Sequence, residues 1–271
     1  MFRSNITVHM IVKNEDRFIW YAIQSVVDFV DKLIIYDTGS SDKTLSIIKS
    51  IKNKKIHLSE KQISNKHDIS LLRQKQLEET DTDWIWIVDG DEIYPFSLCR
   101  EIRNTVEYGG KSIEGIVVGR YDLLGDIYHY QKESVGTYNI FDKKGHLVIR
   151  LLNIKNINGL HIDGIYPYEG YYDNQGKEVI LHRKENYYFT KGKLFHAMYL
   201  ARSSQTFHNT YNRNKFKIER GLKILDPEKV PEVFLKKTDG VPNVTTRRSN
   251  FYEFFSWFIT PVKEIKRKIF L

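Results

Sequence analysis

The sequence predicts an α/β fold, with a mostly parallel sheet flanked by helices and a mainly helical C-terminal part. Three observations carry this. Strand-like and helix-like patterns alternate through the first 120 residues, as in a sheet wound by crossover helices. Ile6 to Val12 is nearly all apolar and β-branched, the composition of a strand buried on both faces. A second such run, Trp84 to Val88, stops abruptly at Asp89-Gly90-Asp91-Glu92, which sets acid groups at the rim of a sheet.

The elements follow in order. After the strand Ile6 to Val12, the segment Asp16 to Val30 carries Phe18, Ile19, Ala22, Ile23, Val26, Val27 and Val30 at helical spacing. Leu33 to Tyr36 is a short strand ending at Asp37, and Thr38-Gly39-Ser40-Ser41-Asp42 is turn chemistry with an N-cap ready for a helix. Leu45, Ile47, Ile48 and Ile51 mark that helix. Ile56 to Leu58 reads as strand, Asp68 to Glu79 as helix, Trp84 to Val88 as strand, Leu98 to Val106 as helix and Ile113 to Val118 as strand. Tyr121 to Leu152 holds short strand-like runs, and Thr190 to Leu225 reads as mainly helical. Pro227, Pro231, Gly240 and Pro242 mark a linker. The expected organisation is a domain over 1–225, a linker over 226–249 and a terminal segment over 250–271. Within the domain, 1–120 is the ligand-binding half, 121–190 the catalytic half and 191–225 helical.

Composition narrows the class. A chain of 271 residues can bury a sizeable core, and 28% charged residues is ordinary for a globular protein. The single cysteine, Cys99, excludes an internal disulfide and a cysteine-based zinc cluster; in its apolar-periodic stretch it reads as a small core residue. Neither a signal peptide at Met1 to His9 nor a membrane-spanning run is apparent, so a cytoplasmic location is expected, with a peripheral position on the inner face of the cell membrane left open. The net charge is +8, and six basic against two acidic residues from Arg247 onward supply about half of it. Nucleic-acid binding needs a basic stripe with stacking aromatics. Here the best polar cluster is acidic and the basic charge gathers in the tail, so nucleic acid is not an expected partner.

Three predicted strands end in polar groups: Lys13-Asn14-Glu15, Asp37, and Asp89-Gly90-Asp91-Glu92. In an open α/β sheet that rim is where ligands bind. Carboxylates gathered there repel unless a cation lies between them, and a hard divalent ion carrying a phosphate suits them. The plain alternative is an acidic turn facing solvent.

These segments resemble glycosyltransferase family 2, of the GT-A fold. Ile11-Val12-Lys13-Asn14-Glu15 is similar to the family's first strand end. Ile34-Ile35-Tyr36-Asp37-Thr38-Gly39-Ser40-Ser41-Asp42-Lys43-Thr44 is similar to its second. Asp68-Ile69-Ser70-Leu71-Leu72-Arg73-Gln74 resembles its arginine-bearing helix start, and Asp89-Gly90-Asp91-Glu92 its metal-binding acid segment. The likeness covers residues 5 to 120 well and 145 to 190 loosely. It implies a nucleoside-diphosphate sugar donor, UDP- or GDP-linked, over the N-terminal half. Asp37 would accept from the base or ribose, while Lys13, Asn14 and Glu15 line the nucleoside pocket. Arg73 would approach the phosphates with its planar guanidinium, Asp89 would face ribose or metal, and Asp91 would bind Mn²⁺ or Mg²⁺.

The second half must supply the acceptor site and a base. After Arg150-Leu151-Leu152, the segment Asp163-Gly164-Ile165-Tyr166-Pro167-Tyr168-Glu169 resembles the segment in which related members carry the glutamate that serves as base. Glu169 is the first candidate and Asp163 the second. His182, at the end of Val179-Ile180-Leu181, is a candidate third metal ligand, with His161 and His196 behind it. The 17 tyrosines suit a sugar-binding cleft and half-buried sheet positions equally. The tail couples Phe251 to Ile259 with the basic Lys263 to Lys268, which fits either an anionic membrane interface or a helix packed on the domain. The expectation is a metal-dependent inverting glycosyltransferase acting on a glycan or lipid-linked acceptor. A nucleotidyltransferase acting on sugar phosphates is the alternative, but Lys13-Asn14-Glu15-Asp16-Arg17 lacks the glycine-rich loop it needs.

Overall fold

The computed structural model describes residues 5–109, 112–205, 217–226 and 229–270. The N-terminal half is a parallel core. Strand β1 (Ile6–Val12) pairs in parallel with β2 (Lys32–Asp37) on one side and β4 (Trp84–Ile87) on the other, and β2 pairs in parallel with β3 (Ile56–Glu60). Helices α1 (Ile19–Val26), α2 (Thr44–Ser50) and α3 (His67–Glu78) make the crossovers. Each strand lies within two residues of its expected place. The first helix is shorter than its apolar pattern: α1 closes at Val26 and a 3-10 turn over Val27–Phe29 completes the stripe.

The sheet then continues through β5 (Glu92–Ile93), α4 (Phe96–Asn104), β6 (Gly115–Leu124) and β7 (Asp126–Tyr130). Strand β10 (Leu147–Asn153) lies antiparallel between β4 and β6, so β6 runs in the same direction as β4. Strand β13 (Tyr187–His196) lies parallel to β6, and β14 (Leu222–Lys223) closes the edge against β7. The carboxyl ends of β1, β2, β4, β6 and β13 therefore share one rim. Two small hairpins stand outside the sheet, β8 (Tyr138–Ile140) with β9 (Lys143–Gly145) and β11 (His161–Asp163) with β12 (Gly170–Tyr172).

Pleating sends alternate residues to opposite faces. One set, including Ile6, Val8, Met10, Leu33, Ile35, Trp84 and Trp86, packs with α1 and α4. The other set, including Ile85, Ile87, Val117 and Leu152, packs with Leu77 of α3. On this second face Gln76 donates to the carbonyls of Met10 (3.0 Å) and Ile34 (2.9 Å), and His9 Nε2 meets Thr80 Oγ1 at 2.6 Å. Burial, with Arg73 and Lys32 nearby, lowers the His9 pKa to about 3, so this imidazole is neutral. Cys99 is buried and its thiol pushed up by burial, in keeping with a core role.

Two expectations are corrected. Thr190 to Leu225 was expected to be helical; Thr190–His196 is the second half of β13, and no α-helix occurs in the described residues from there to 225. Residues 206–216 of that stretch lie outside the described residues. The error has a physical cause. Tyr187-Tyr188-Phe189-Thr190 is β-prone, and Leu194 and Phe195 are buried as residues of a strand paired with β6, not as one face of a helix. The expected linker over 226–249 also packs on the domain: Val233, Phe234 and Val244 are buried, and Tyr21 donates to the Pro242 carbonyl at 2.9 Å.

Candidate active site

A cavity of about 500 Å³ opens at the common rim. Lys13, Glu15, Arg73, Asp89, Asp91 and Glu169 all line it. The turn after β4 presses against the turn after β1. A Cβ placed on Gly90 would lie 2.9 Å from Glu15 Cγ and 3.2 Å from Val12 Cγ1, so only glycine lets the two acid-bearing turns approach this closely.

The four residues of the acid segment have separate surroundings. Asp89 is 34% exposed and accepts from Arg150 Nη2 at 2.7 Å, with Arg73 Nη2 at 3.9 Å. Burial opposes its ionisation, and the Arg150 and Arg73 guanidiniums outweigh that, holding the pKa down to about 2. A depressed folded-state pKa favours folding above the ordinary aspartate range, and that contribution is lost as pH falls towards 2. Asp91 is buried, accepts from Arg202 Nη1 at 2.8 Å and faces His196 Nε2 at 3.6 Å. Burial again opposes ionisation, and Arg202 and His196 hold its pKa below the usual value. Glu92 is fully buried against Arg150 and Tyr94, and there burial outweighs the guanidinium and raises the pKa. Glu92 is thus a structural partner of Arg150.

That pairing gives a stability prediction. Removing one member of a buried ion pair leaves the other desolvated and uncompensated, which costs about 3–5 kcal/mol, while an apolar replacement of both is near neutral. Arg150→Ala is expected to lower the unfolding free energy by about that amount in urea titration. Adding Glu92→Leu to Arg150→Met should recover most of the loss, and equal stability of wild type and Arg150→Ala would remove the pair from the account.

Strand pairing explains how the remaining groups arrive. His196 ends β13, in register with Asp122 of β6 and Glu92 of β5. Its Nδ1 lies 3.1 Å from Asp122 Oδ1, and Asp122 also meets His146 Nδ1 at 2.9 Å and Arg120 Nε at 3.0 Å. Burial opposes protonation of His196, and Asp91 and Asp122 together raise its pKa above the ordinary histidine value. Glu169 immediately precedes β12. Its hairpin is tied to α3, where Gln74 Oε1 accepts the Ile162 N–H at 2.9 Å, and Arg73 of α3 donates from Nε to Glu169 Oε1 at 3.2 Å. The segment after β13 crosses the rim: Arg202 bridges Asp91 and Glu15 (3.5 Å), and the Ser204 N–H donates to Asp16 at 2.7 Å.

Four expected site residues stand elsewhere. Asn14, at φ 56°, accepts the Ser41 N–H at 2.8 Å, and Asp37 Oδ1 accepts the N–H groups of Gly39 and Ser40 at 2.9 and 2.8 Å. Both shape the turns that carry the lining residues Lys13, Glu15 and Thr38 and are themselves absent from the lining. Asp163 is exposed and accepts the Gly164 N–H at 2.6 Å. His182 is the clear correction. It bonds Glu114 at 2.6 Å and faces Asp173 at 3.4 Å, and Glu114 precedes β6, at the end of the sheet opposite Asp91. The apolar run Val179 to Leu181 is a 3-10 turn, not a strand leading to the rim. His161 is likewise outside the lining, against the Gly159 carbonyl at 3.0 Å. His196 is the histidine that reaches the acids, and the signal for it was the aromatic, β-prone run that precedes it. Among the described residues no group of three or more His, Cys, Asp or Glu is spaced to hold a metal; in the lining of the cavity, Asp91 Oδ2 and His196 Nε2 lie 3.6 Å apart.

Comparison with known proteins matches residues 7–161 to the model of glycosyl transferase family 2. An uncharacterized glycosyltransferase of Rickettsia bellii is 32% identical over 110 residues, which are 40% of this chain and 33% of that protein. The SPbeta prophage-derived glycosyltransferase SunS of Bacillus subtilis is 34% identical over 95 residues, 33% of this chain and 20% of its own length. The chain thus spans a third or less of the length of these relatives. Among solved structures, glucosyl-3-phosphoglycerate synthase of Mycobacterium tuberculosis, in complex with Mn²⁺, UDP and phosphoglyceric acid, is 22% identical with a TM-score of 0.34, covering 44% of this chain and 43% of that one. The family match takes in more than half of the chain, including β1, β2, β4 and the acid segment at their rim, on a GT-A-like sheet flanked by helices. This chain belongs to glycosyltransferase family 2.

Proposed function

We propose that this chain transfers a sugar from a nucleoside diphosphate donor to a glycan or lipid-linked acceptor, with inversion and with a divalent metal. The observation that carries the reading is that Asp89, Asp91 and Glu169 line one cavity, with Arg73 between Asp89 and Glu169. Arg73 and Lys13 line the same cavity and offer the cations that phosphate oxygens need.

Two residues of the cavity would hold the ion. Asp91 offers a hard carboxylate, and His196, with its Nδ1 held by Asp122, turns Nε2 towards Asp91. Such a carboxylate–histidine arrangement fixes a ligating imidazole, and a mixed oxygen and nitrogen set suits Mn²⁺ as well as Mg²⁺. The ion would supply charge stabilisation to the departing diphosphate. Asp89, already engaged by Arg150, would face the ribose or the ion. Glu169 takes the acceptor hydroxyl's proton as that oxygen attacks the anomeric carbon from the face opposite the diphosphate. Arg73 orients the Glu169 carboxylate.

The test is a panel of UDP- and GDP-sugars scored by thermal stabilisation with Mn²⁺. A ligand at about one hundred times its Kd adds about 2.7 kcal/mol to apparent stability. One donor base is expected to raise the melting temperature, and only with the ion present. Stabilisation by no nucleotide sugar would overturn the reading. Release of pyrophosphate from a nucleoside triphosphate and a sugar phosphate would instead make the chain a nucleotidyltransferase.

A further inference from the structure

The C-terminal helix α5 (Asn250–Phe270) is attached to the domain by its polar side. Tyr252 and Ser256 are buried, and the Tyr252 hydroxyl donates to the Lys217 carbonyl at 2.7 Å. Thr260 accepts the Arg220 N–H at 2.8 Å, Lys263 donates to the Ile218 carbonyl at 3.1 Å, and Arg267 pairs with the buried Glu219. The other side is apolar and open. Phe251, Phe254, Phe258, Val262, Ile265 and Ile269 are each 59–69% exposed. Their spacing of three and four residues makes one continuous stripe. A helix that belongs only to a globular core is oriented the other way round, with its apolar stripe inward.

The charges around the stripe identify its partner. At 100° per residue, the exposed Lys266 and Lys268 lie on either side of it. Both acids of the helix are tied down: Glu253 to Arg248 at 2.8 Å and Glu264 to Lys132 at 2.6 Å. The outward face is thus aromatic and aliphatic at its centre and cationic at its margins. A second copy facing this stripe would bring like charges together, which disfavours it. No helix of the described residues is long and apolar enough to cross a membrane. A helix with an apolar face, a basic margin and an exposed Trp257 suits the interface plane of an anionic bilayer.

We infer that α5 is a docking surface for an anionic lipid bilayer, lying in its interface with Lys266 and Lys268 at the headgroups. The placement of α5 gives this a consequence. The helix covers the turn after β6, where a Cβ on Gly125 would come within 2.8 Å of Tyr252, and that turn lies three residues beyond Asp122 at the active-site rim. Docking through α5 therefore holds the cleft beside the lipid surface. The docking itself does not depend on the transfer reaction, so it can be tested without any substrate.

The experiment is co-sedimentation of the full chain with phosphatidylcholine vesicles, with and without phosphatidylglycerol. Binding is expected only with phosphatidylglycerol. Lys266→Gln with Lys268→Gln should weaken it about thirtyfold, as should raised salt. Phe254→Ser with Phe258→Ser should weaken it about a hundredfold by removing buried apolar area. All four side chains are exposed, so melting temperatures should stay at the wild-type value. Failure of wild type to bind anionic vesicles, or equal binding by the phenylalanine pair variant, overturns the inference. A dimer in sedimentation velocity that the same pair dissociates, without vesicle binding, would assign the stripe to a second copy.

Discussion

Asp91→Asn is expected to lower metal-supported turnover by about a thousandfold while the protein remains folded; removing one preorganised electrostatic contact from a closed site costs about a hundredfold to a thousandfold in rate, and loss of the bound ion takes this to the upper end. The substitution keeps the shape of the side chain and removes the charge. In the structure Asp91 balances Arg202 at 2.8 Å, and Arg202 also reaches Glu15 at 3.5 Å. The guanidinium therefore keeps one carboxylate partner when Asp91 is neutral, which is why the fold should survive. His196 would still face the position through Nε2, but a lone imidazole and a carboxamide hold hard divalent ions poorly. The measurement is initial rate against Mn²⁺ concentration with a fixed donor, together with a melting curve. Turnover within tenfold of wild type at saturating Mn²⁺ would sink the assignment of Asp91, whatever the donor proves to be.

The acid segment was readable because it breaks a rule that strands otherwise keep. A run as apolar as Trp84 to Val88 must be buried, and three carboxylates in the next four residues must lie where the chain leaves the sheet. The parallel core could be placed in the same way, since β1, β2, β3 and β4 are each close in sequence to the helix that connects them. What stabilises the acids could not be read. Asp89 and Asp91 are neutralised by Arg150 and Arg202, 61 and 111 residues away along the chain. Those pairings exist only because β10 inserts antiparallel beside β4 and because the segment after β13 crosses the rim. His196 was obscured for the same reason. Its position depends on the register of β13 with both β5 and β6, a non-local fact, and its surroundings resemble a helix when read by local spacing. His182 failed in the opposite sense: a short apolar run before a histidine reads as a strand end, but the run makes a 3-10 turn at the far end of the sheet. The tail shows that pattern alone leaves polarity undecided. An amphipathic stripe over 251–269 can be read from the sequence, but not which face the domain takes, because that is set by Glu219, Lys217 and the carbonyls beside them.

Glu169→Gln is expected to leave donor binding unchanged and to reduce kcat by about a hundredfold to ten-thousandfold, the span that a positioned general base contributes. The carboxamide preserves the size of the side chain and can still accept from Arg73 Nε, which lies 3.2 Å from Glu169 Oε1, so the wall of the cavity keeps its shape. What it cannot do is take a proton from an acceptor hydroxyl. A loss confined to kcat, with donor Kd unmoved, is the signature of a group used only in the chemical step. Glu169 Oε2 supports the choice: it is buried with no hydrogen-bond partner among the described residues, at the edge of a cavity with room for a sugar hydroxyl. Asp163 supplies the control. It is exposed, caps its own turn through the Gly164 N–H and does not line the cavity, so Asp163→Asn is expected to change kcat by less than about threefold, as surface substitutions usually do little. The two variants are to be compared for donor Kd by titration and for kcat in the presence of acceptor. If Asp163→Asn stops transfer and Glu169→Gln does not, the roles are reversed and the β11–β12 hairpin must turn its other end to the acceptor. If both transfer at the wild-type rate, the proton goes to a group outside this hairpin, and Asp122, bonded to His196 beside Asp91, is the next carboxylate at the rim to replace.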